Sequence, residues 1–141
     1  MKYVLTIFFI FLAPVLVQAR VLVVTTYPYM ADIARIVGND RTEVLSLASG
    51  KSHPHYVNAN SAAARAMKKA DLLIVNGAGL EDEWIEAILK ASANARIRTG
   101  QDGHLDLSEL VTLLSEDYTT AQRTPQFTHH DVNPHHHLDP A

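Results

Sequence analysis

The 141-residue chain contains no cysteine. That excludes disulfides, thiolate metal sites and lipid anchoring through cysteine, and it leaves the cellular compartment to be read from elsewhere. Basic excess is lacking too: 12 Lys and Arg against 15 Asp and Glu give a formal net charge of −3. A nucleic-acid partner is therefore not expected. There is no internal repeat, no second long apolar run after the N-terminal one, and no His-Glu-x-x-His pattern of a zinc hydrolase. With 48% hydrophobic and 19% charged residues the composition is that of a globular protein, long enough for one domain. What the chain has in excess is histidine. There are eight, all from His53 onward, and His129, His130, His135, His136 and His137 crowd into one short stretch.

The N-terminus supplies the compartment signal. Lys2 is a positive n-region, Tyr3 to Val17 is almost wholly apolar, and Val17-Gln18-Ala19 has the small-x-small character of a signal-peptidase site. The run is shorter than the ~20 residues of a membrane-spanning helix. Residues 1–19 are accordingly expected to be a signal peptide, with an uncleaved anchor helix as the alternative. The mature domain, 20–141, is then exported and keeps no membrane anchor.

Along that domain, short β-branched runs alternate with amphipathic stretches. Val21 to Thr25 reads as a strand buried on both faces. Pro28 suits the first turn of a helix, on which Met30, Ile33, Ala34 and Val37 form one apolar stripe. Gly38-Asn39-Asp40 stops it, and Val44 to Leu47 is a second strand. Asn60 or Ser61 caps the next helix, with Ala63, Ala66, Met67 and Ala70 inward and Arg65, Lys68 and Lys69 outward. Asp71 to Val75 is a third strand. Glu81 and Asp82 then lie where acidic residues favour a helix start, and Trp84, Ile85, Ile88 and Leu89 form that helix's apolar face. Ala95 to Thr99 is expected to be a weaker fourth strand, and Thr119 to Pro134 a loop.

Strands and helices at this spacing predict an α/β fold: a parallel, Rossmann-like sheet flanked by helices. Ligands in such folds sit beyond the carboxyl ends of the strands. That rule puts Thr26-Tyr27-Pro28, the turn-rich Ser49 to Asn60 and the Asn76 to Leu80 stretch at the functional edge.

Two histidine clusters fall near that edge. In Ser52-His53-Pro54-His55-Tyr56, neutral imidazoles are suitable ligands for zinc and other late first-row metals, and Pro54 restricts the backbone ahead of His55. Read from these residues alone, the loop either ligates a metal or merely carries two incidental histidines. In Asn133-Pro134-His135-His136-His137-Leu138-Asp139-Pro140, an extended backbone would let His135 and His137 share a face with His136 opposed. Composition alone suggests loose metal affinity there, with an engineered tag as the alternative.

Four strings occur in order: VVTTYPYMADIARIVGNDRTEV, the Pro-His-Tyr of 54–56, KADLLIVNGAGLEDEW and NPHHHLDPA. Together they resemble the metal-binding solute receptors of zinc and manganese ABC importers, over almost all of Val21 to Ala141. The resemblance implies the N-terminal lobe of a two-lobe receptor that captures zinc or manganese in the periplasm. The expected partner is an ABC permease in the inner membrane, and the receptor is expected to be a monomer and no enzyme. It also implies that His55 and His135 are metal ligands, and proton competition should then weaken binding as pH falls through the imidazole range.

Four departures qualify the resemblance. Tyr56 follows His55 without the usual intervening residue. His137 stands where the family usually has tryptophan, which makes His137, with His53, a candidate additional ligand. His53, His129 and His130 have no family counterpart. The chain also ends about where the helix joining the two lobes would begin, so it is expected to be a fragment or a truncated form. The other function classes considered are a metal-dependent hydrolase, which would show phosphatase or esterase turnover with zinc, and a surface adhesin of the same family, which would bind host matrix.

Overall fold

The computed structural model describes residues 19–51, 53–58, 60–115 and 132–138. The signal-peptide reading of the N-terminus therefore lies outside the described residues, as do His129, His130 and Asp139.

Strand β1 (Val21–Thr25) has the span expected, and Pro28 opens helix α1 (Pro28–Gly38). Strand β2 (Thr42–Ser46) starts two residues earlier than expected. Helix α2 (Ser61–Lys69) is capped by Asn60, whose side chain accepts from the Ala63 amide, an arrangement that satisfies one amide left open by the helix start. Strand β3 (Leu72–Val75) and helix α3 (Ile85–Ser92) follow.

The fourth strand is not where propensity put it. Ala95–Ile97 is a 3-10 turn, and strand β4 is His104–Asp106. The reason lies in the capping of that turn: the Asn94 side chain accepts from the Arg96 amide and donates to the carbonyls of Met67 and Ala70. The chain is thereby tied to the end of α2 and reaches the sheet edge only at His104.

All pairings within the sheet are parallel and the strand order is β2-β1-β3-β4. The chain leaves β1 towards one edge and returns to build β3 on the other side, so the loops after β1 and β3 flank the point where the order reverses. One face of the sheet packs on α2 and α3 through Val24, Leu73, Val75, Met67, Trp84 and Ile88, all buried. Each side chain of this size contributes ~1.5–3 kcal/mol when taken out of water.

The opposite face corrects the expectation for α1. Met30 is 2% exposed, whereas Ile33 and Val37 are 58% and 74% exposed. Helix α1 sits over β1 and β2 at one side of the sheet, so Ile33 and Val37 overhang an apolar groove floored by Val23, Leu72, Ile74 and Leu105. Among the described residues, no element fills it. No described helix is long and apolar enough to cross a membrane.

Candidate metal-binding edge

The carboxyl ends of β1, β2 and β3 carry three loops, and the histidine clusters gather against them. In the loop after β2, the amide of Tyr56 donates to the His53 carbonyl at 3.0 Å and closes a turn around Pro54 and His55. The carbonyl of Pro54 is held from below by the Tyr27 hydroxyl at 2.9 Å and the Trp84 indole N–H at 3.3 Å. Those two rings meet edge to face, with centroids 6.3 Å apart. His55 is consequently buried (8% exposed), whereas His53 stays exposed beside it. His55 also lines an open cleft with Glu83 and Asn58.

The second cluster is brought in from far along the chain. Asn133 donates through its amide to the Leu114 carbonyl, and Val132 forms an antiparallel bridge with Ser115. The Asn133 side chain accepts from the His135 amide at 2.8 Å. Residues His136–Leu138 wind into a 3-10 turn, so the extended geometry assumed from the sequence is not the one adopted. The rings of His135 and His136 both lie close to that of His137, the His136 ring at 6.3 Å. His136 turns back to donate from Nε2 to the Asn76 carbonyl at 3.0 Å, while the rings of His135 and His137 lie 6.1 Å apart.

Four rings thus form a row. Neighbouring centroids are separated by 5.5 Å from His53 to His55, 6.3 Å from His55 to His135 and 6.1 Å from His135 to His137. The structure sets His55 and His135 side by side from two segments remote in sequence, with His53 next to the first and His137 next to the second. Among the described residues, no three metal-ligating side chains already surround one point. His137 stacks on Tyr29 with centroids 4.7 Å apart. Desolvation, and then the neighbouring His135 and His136, lower its pKa, which favours the neutral, metal-competent imidazole.

Beneath the row is a polar core that pattern reading missed. The sequence pattern assigns Glu81 to a helix start by its charge. Instead it is 3% exposed, and its carboxylate accepts from the Thr26 hydroxyl and the Asn76 amide at 2.7 Å, and from the Gly77 amide at 3.1 Å. The Asn76 side chain, also buried, accepts from the Tyr29 hydroxyl at 2.6 Å and donates to the Pro134 carbonyl at 2.8 Å. The available signal was Asn76-Gly77 at a strand end with Glu81 shortly after, a spacing that lets a carboxylate fold back onto the amides at the strand's end. Burial, followed by the charge of Glu81, raises the pKa of both Tyr27 and Tyr29, so the two phenols remain donors.

Burial pushes Glu81 up from 4.5 to about 7, against the pull of its three donors. A carboxyl that binds its proton more tightly folded than unfolded contributes most stability below its unfolded value and loses it as pH rises towards 7. The expected loss between about pH 4.5 and 8 is at most roughly 3 kcal/mol. Urea unfolding of the wild type and Glu81→Gln across that range checks it: the wild type should lose stability relative to the variant as pH rises. Parallel profiles would contradict the assignment.

The comparisons with known proteins agree with this architecture. The family model described as zinc-uptake complex component A, periplasmic (ZnuA), matches residues 23–141. Among solved structures, the Mn-bound periplasmic metal binding protein from Candidatus Liberibacter asiaticus aligns at 21% identity and TM-score 0.56, covering 68% of this chain and 34% of its own. A metal-free mutant of that protein aligns at 20% identity and TM-score 0.60, covering 82% and 38%. Fe(III)-bound YtgA from Chlamydia trachomatis aligns at 22% identity and TM-score 0.56, covering 82% and 36%. These likenesses bear on the fold, and the chain spans little more than a third of the length of each relative.

Proposed function

The chain belongs to the periplasmic zinc-uptake component A family, and from that premise we propose that it forms the metal-capturing N-terminal lobe of a solute receptor. It takes up a divalent transition-metal ion outside the inner membrane and yields it to an ABC permease. The ion is cargo, bound and released unchanged.

The observation that carries this reading is the approach of His55 and His135, whose ring centres lie 6.3 Å apart and nearly perpendicular. Two imidazoles on a tetrahedral zinc, with Zn–N of about 2.0 Å, place their ring centres about 5 Å apart. Side-chain rotation closes the remaining gap of roughly 1 Å. Two ligands make half of a closed site, and the remaining donors come from outside this lobe or from His53 and His137 beside it. The resident donors are nitrogen atoms, which suit zinc better than manganese, whose preference is for oxygen. Export through the apolar segment of residues 3–17 completes the reading.

Titration of the purified chain with each ion tests the proposal. Zinc should bind more tightly than manganese, by about 10-fold or more as expected for a nitrogen-donor set. Manganese binding equal to or tighter than zinc would overturn the choice of cargo.

A further inference from the structure

Both candidate ligands follow a proline, and both proline carbonyls are gripped by buried side chains. On one side the Tyr27 hydroxyl and Trp84 indole donate to the Pro54 carbonyl. On the other, the Asn76 side chain donates to the Pro134 carbonyl. The geometry matters because proline fixes φ and the following peptide is planar. Once the carbonyl of such a Pro-His peptide is held, the orientation of the whole peptide is set. The histidine ring then keeps only its own φ and side-chain rotations. The Pro134–His135 peptide is held at both ends, since the His135 amide donates to Asn133.

The two grips share a foundation. Glu81 accepts from the amide of Asn76, and its own carbonyl accepts from the amide of Trp84 at 3.0 Å. It also accepts from Thr26, the neighbour of Tyr27. The Tyr29 hydroxyl on Asn76 Oδ1 turns the amide so that its N–H2 faces Pro134. The same N–H2 group also donates to the Gly77 carbonyl at 3.1 Å, so both of its hydrogens are used and the amide is fixed in one orientation.

We propose that Tyr27 and Asn76 are positioning residues of the metal site, each aiming one imidazole by holding the carbonyl of the proline before it: Tyr27, with Trp84, aims His55, and Asn76 aims His135. The proposal rests on His55 and His135 being ligands. It goes further in assigning one named device to each and predicting that the two act separately.

The test is a set of double-mutant cycles on the full chain, with the zinc dissociation constant read by titration and folding followed by thermal melting. Tyr27→Phe keeps the ring and removes the grip, and should weaken zinc binding about 10-fold, in the range seen when groups supporting a metal ligand are removed. That loss should persist in His135→Ala and shrink below about 2-fold in His55→Ala. Asn76→Ala should show the converse dependence. Where that variant fails to fold, Tyr29→Phe, which only releases the amide's orientation, takes its place with the same expected pattern. A loss that is the same whichever histidine is present would overturn the proposal and leave the grips as general supports. So would an unchanged affinity in Tyr27→Phe when His55→Ala weakens binding. If neither histidine substitution alters zinc affinity, the ligand assignment itself has failed, and the proposal falls with it.

Discussion

Replacing both His55 and His135 by alanine should weaken zinc binding at least about 100-fold while leaving the fold in place. Loss of a group that merely supports a ligand costs about 10–100-fold, so loss of two ligands costs at least the upper end of that range. The fold should tolerate the change because both residues lie on loops at the sheet edge and neither belongs to the cluster of apolar side chains that forms the core, although His55 is buried. Each single substitution should account for part of the loss. His104→Ala is the control: its ring bonds the Ile97 carbonyl at 3.0 Å within β4, away from the row of imidazoles. Zinc titrations of the four variants decide the matter. Equal affinity in wild type and double mutant would mean that the ion is held elsewhere.

Gly77→Ala should produce a large loss of stability for the addition of a single methyl group. Gly77 has φ +77°, a conformation that costs an L-residue ~1–2 kcal/mol. Its added Cβ would run into the Asp106 carboxylate and the Ser108 hydroxyl. That carboxylate caps the next turn by accepting from the Ser108 amide at 2.8 Å and hydroxyl at 2.6 Å, each bond worth about 1 kcal/mol. Strain and lost bonds together predict a destabilisation of about 3 kcal/mol or more. The damage should reach the site, because the Gly77 amide donates to Glu81. Gly50→Ala serves as the contrast, since a Cβ there meets no atom within 4 Å. It should stay within about 0.5 kcal/mol of wild type. Urea unfolding measures both, and a Gly77→Ala chain as stable as wild type would refute this account of the turn.

The fold was legible where a single period or a single cap decided the local structure. The run Val21 to Thr25 reads as a strand and is one, buried from Val23 onward with Val21 exposed, and of the two cap candidates Asn60 is the one that opens the alanine-rich helix. The parallel sheet followed from the spacing of such elements, and it placed the first histidine cluster at the ligand-binding edge.

Where expectation and structure part, a tertiary contact has overruled a local preference. The stripe of Ile33 and Val37 has the right period for burial, but α1 lies to one side of the sheet and leaves both residues exposed. Ala95 to Thr99 is sequence-compatible with a strand, but Asn94 bonds the end of α2 and turns the chain first. Glu81 resembles a helix-start charge because its place in the chain suits that role equally well, and the spacing to Asn76-Gly77 permits the fold-back onto amides four and five residues before it without requiring it. The roles of Tyr27, Asn76 and Trp84 were hidden for a related reason. Each supports a histidine loop through a proline carbonyl 27 to 58 residues away.

The central claim is that His55 and His135, from loops remote in sequence, share one metal ion. It is tested most directly by following the imidazole nitrogen resonances of the eight histidines during a zinc titration of the chain. His55 and His135 should shift together, at the lowest zinc concentration and with one common dissociation constant. His53 or His137 should join them only if they complete the coordination. Independent titration of His55 and His135 would contradict it, as would resonances of His104 or His136 that shift at lower zinc than theirs.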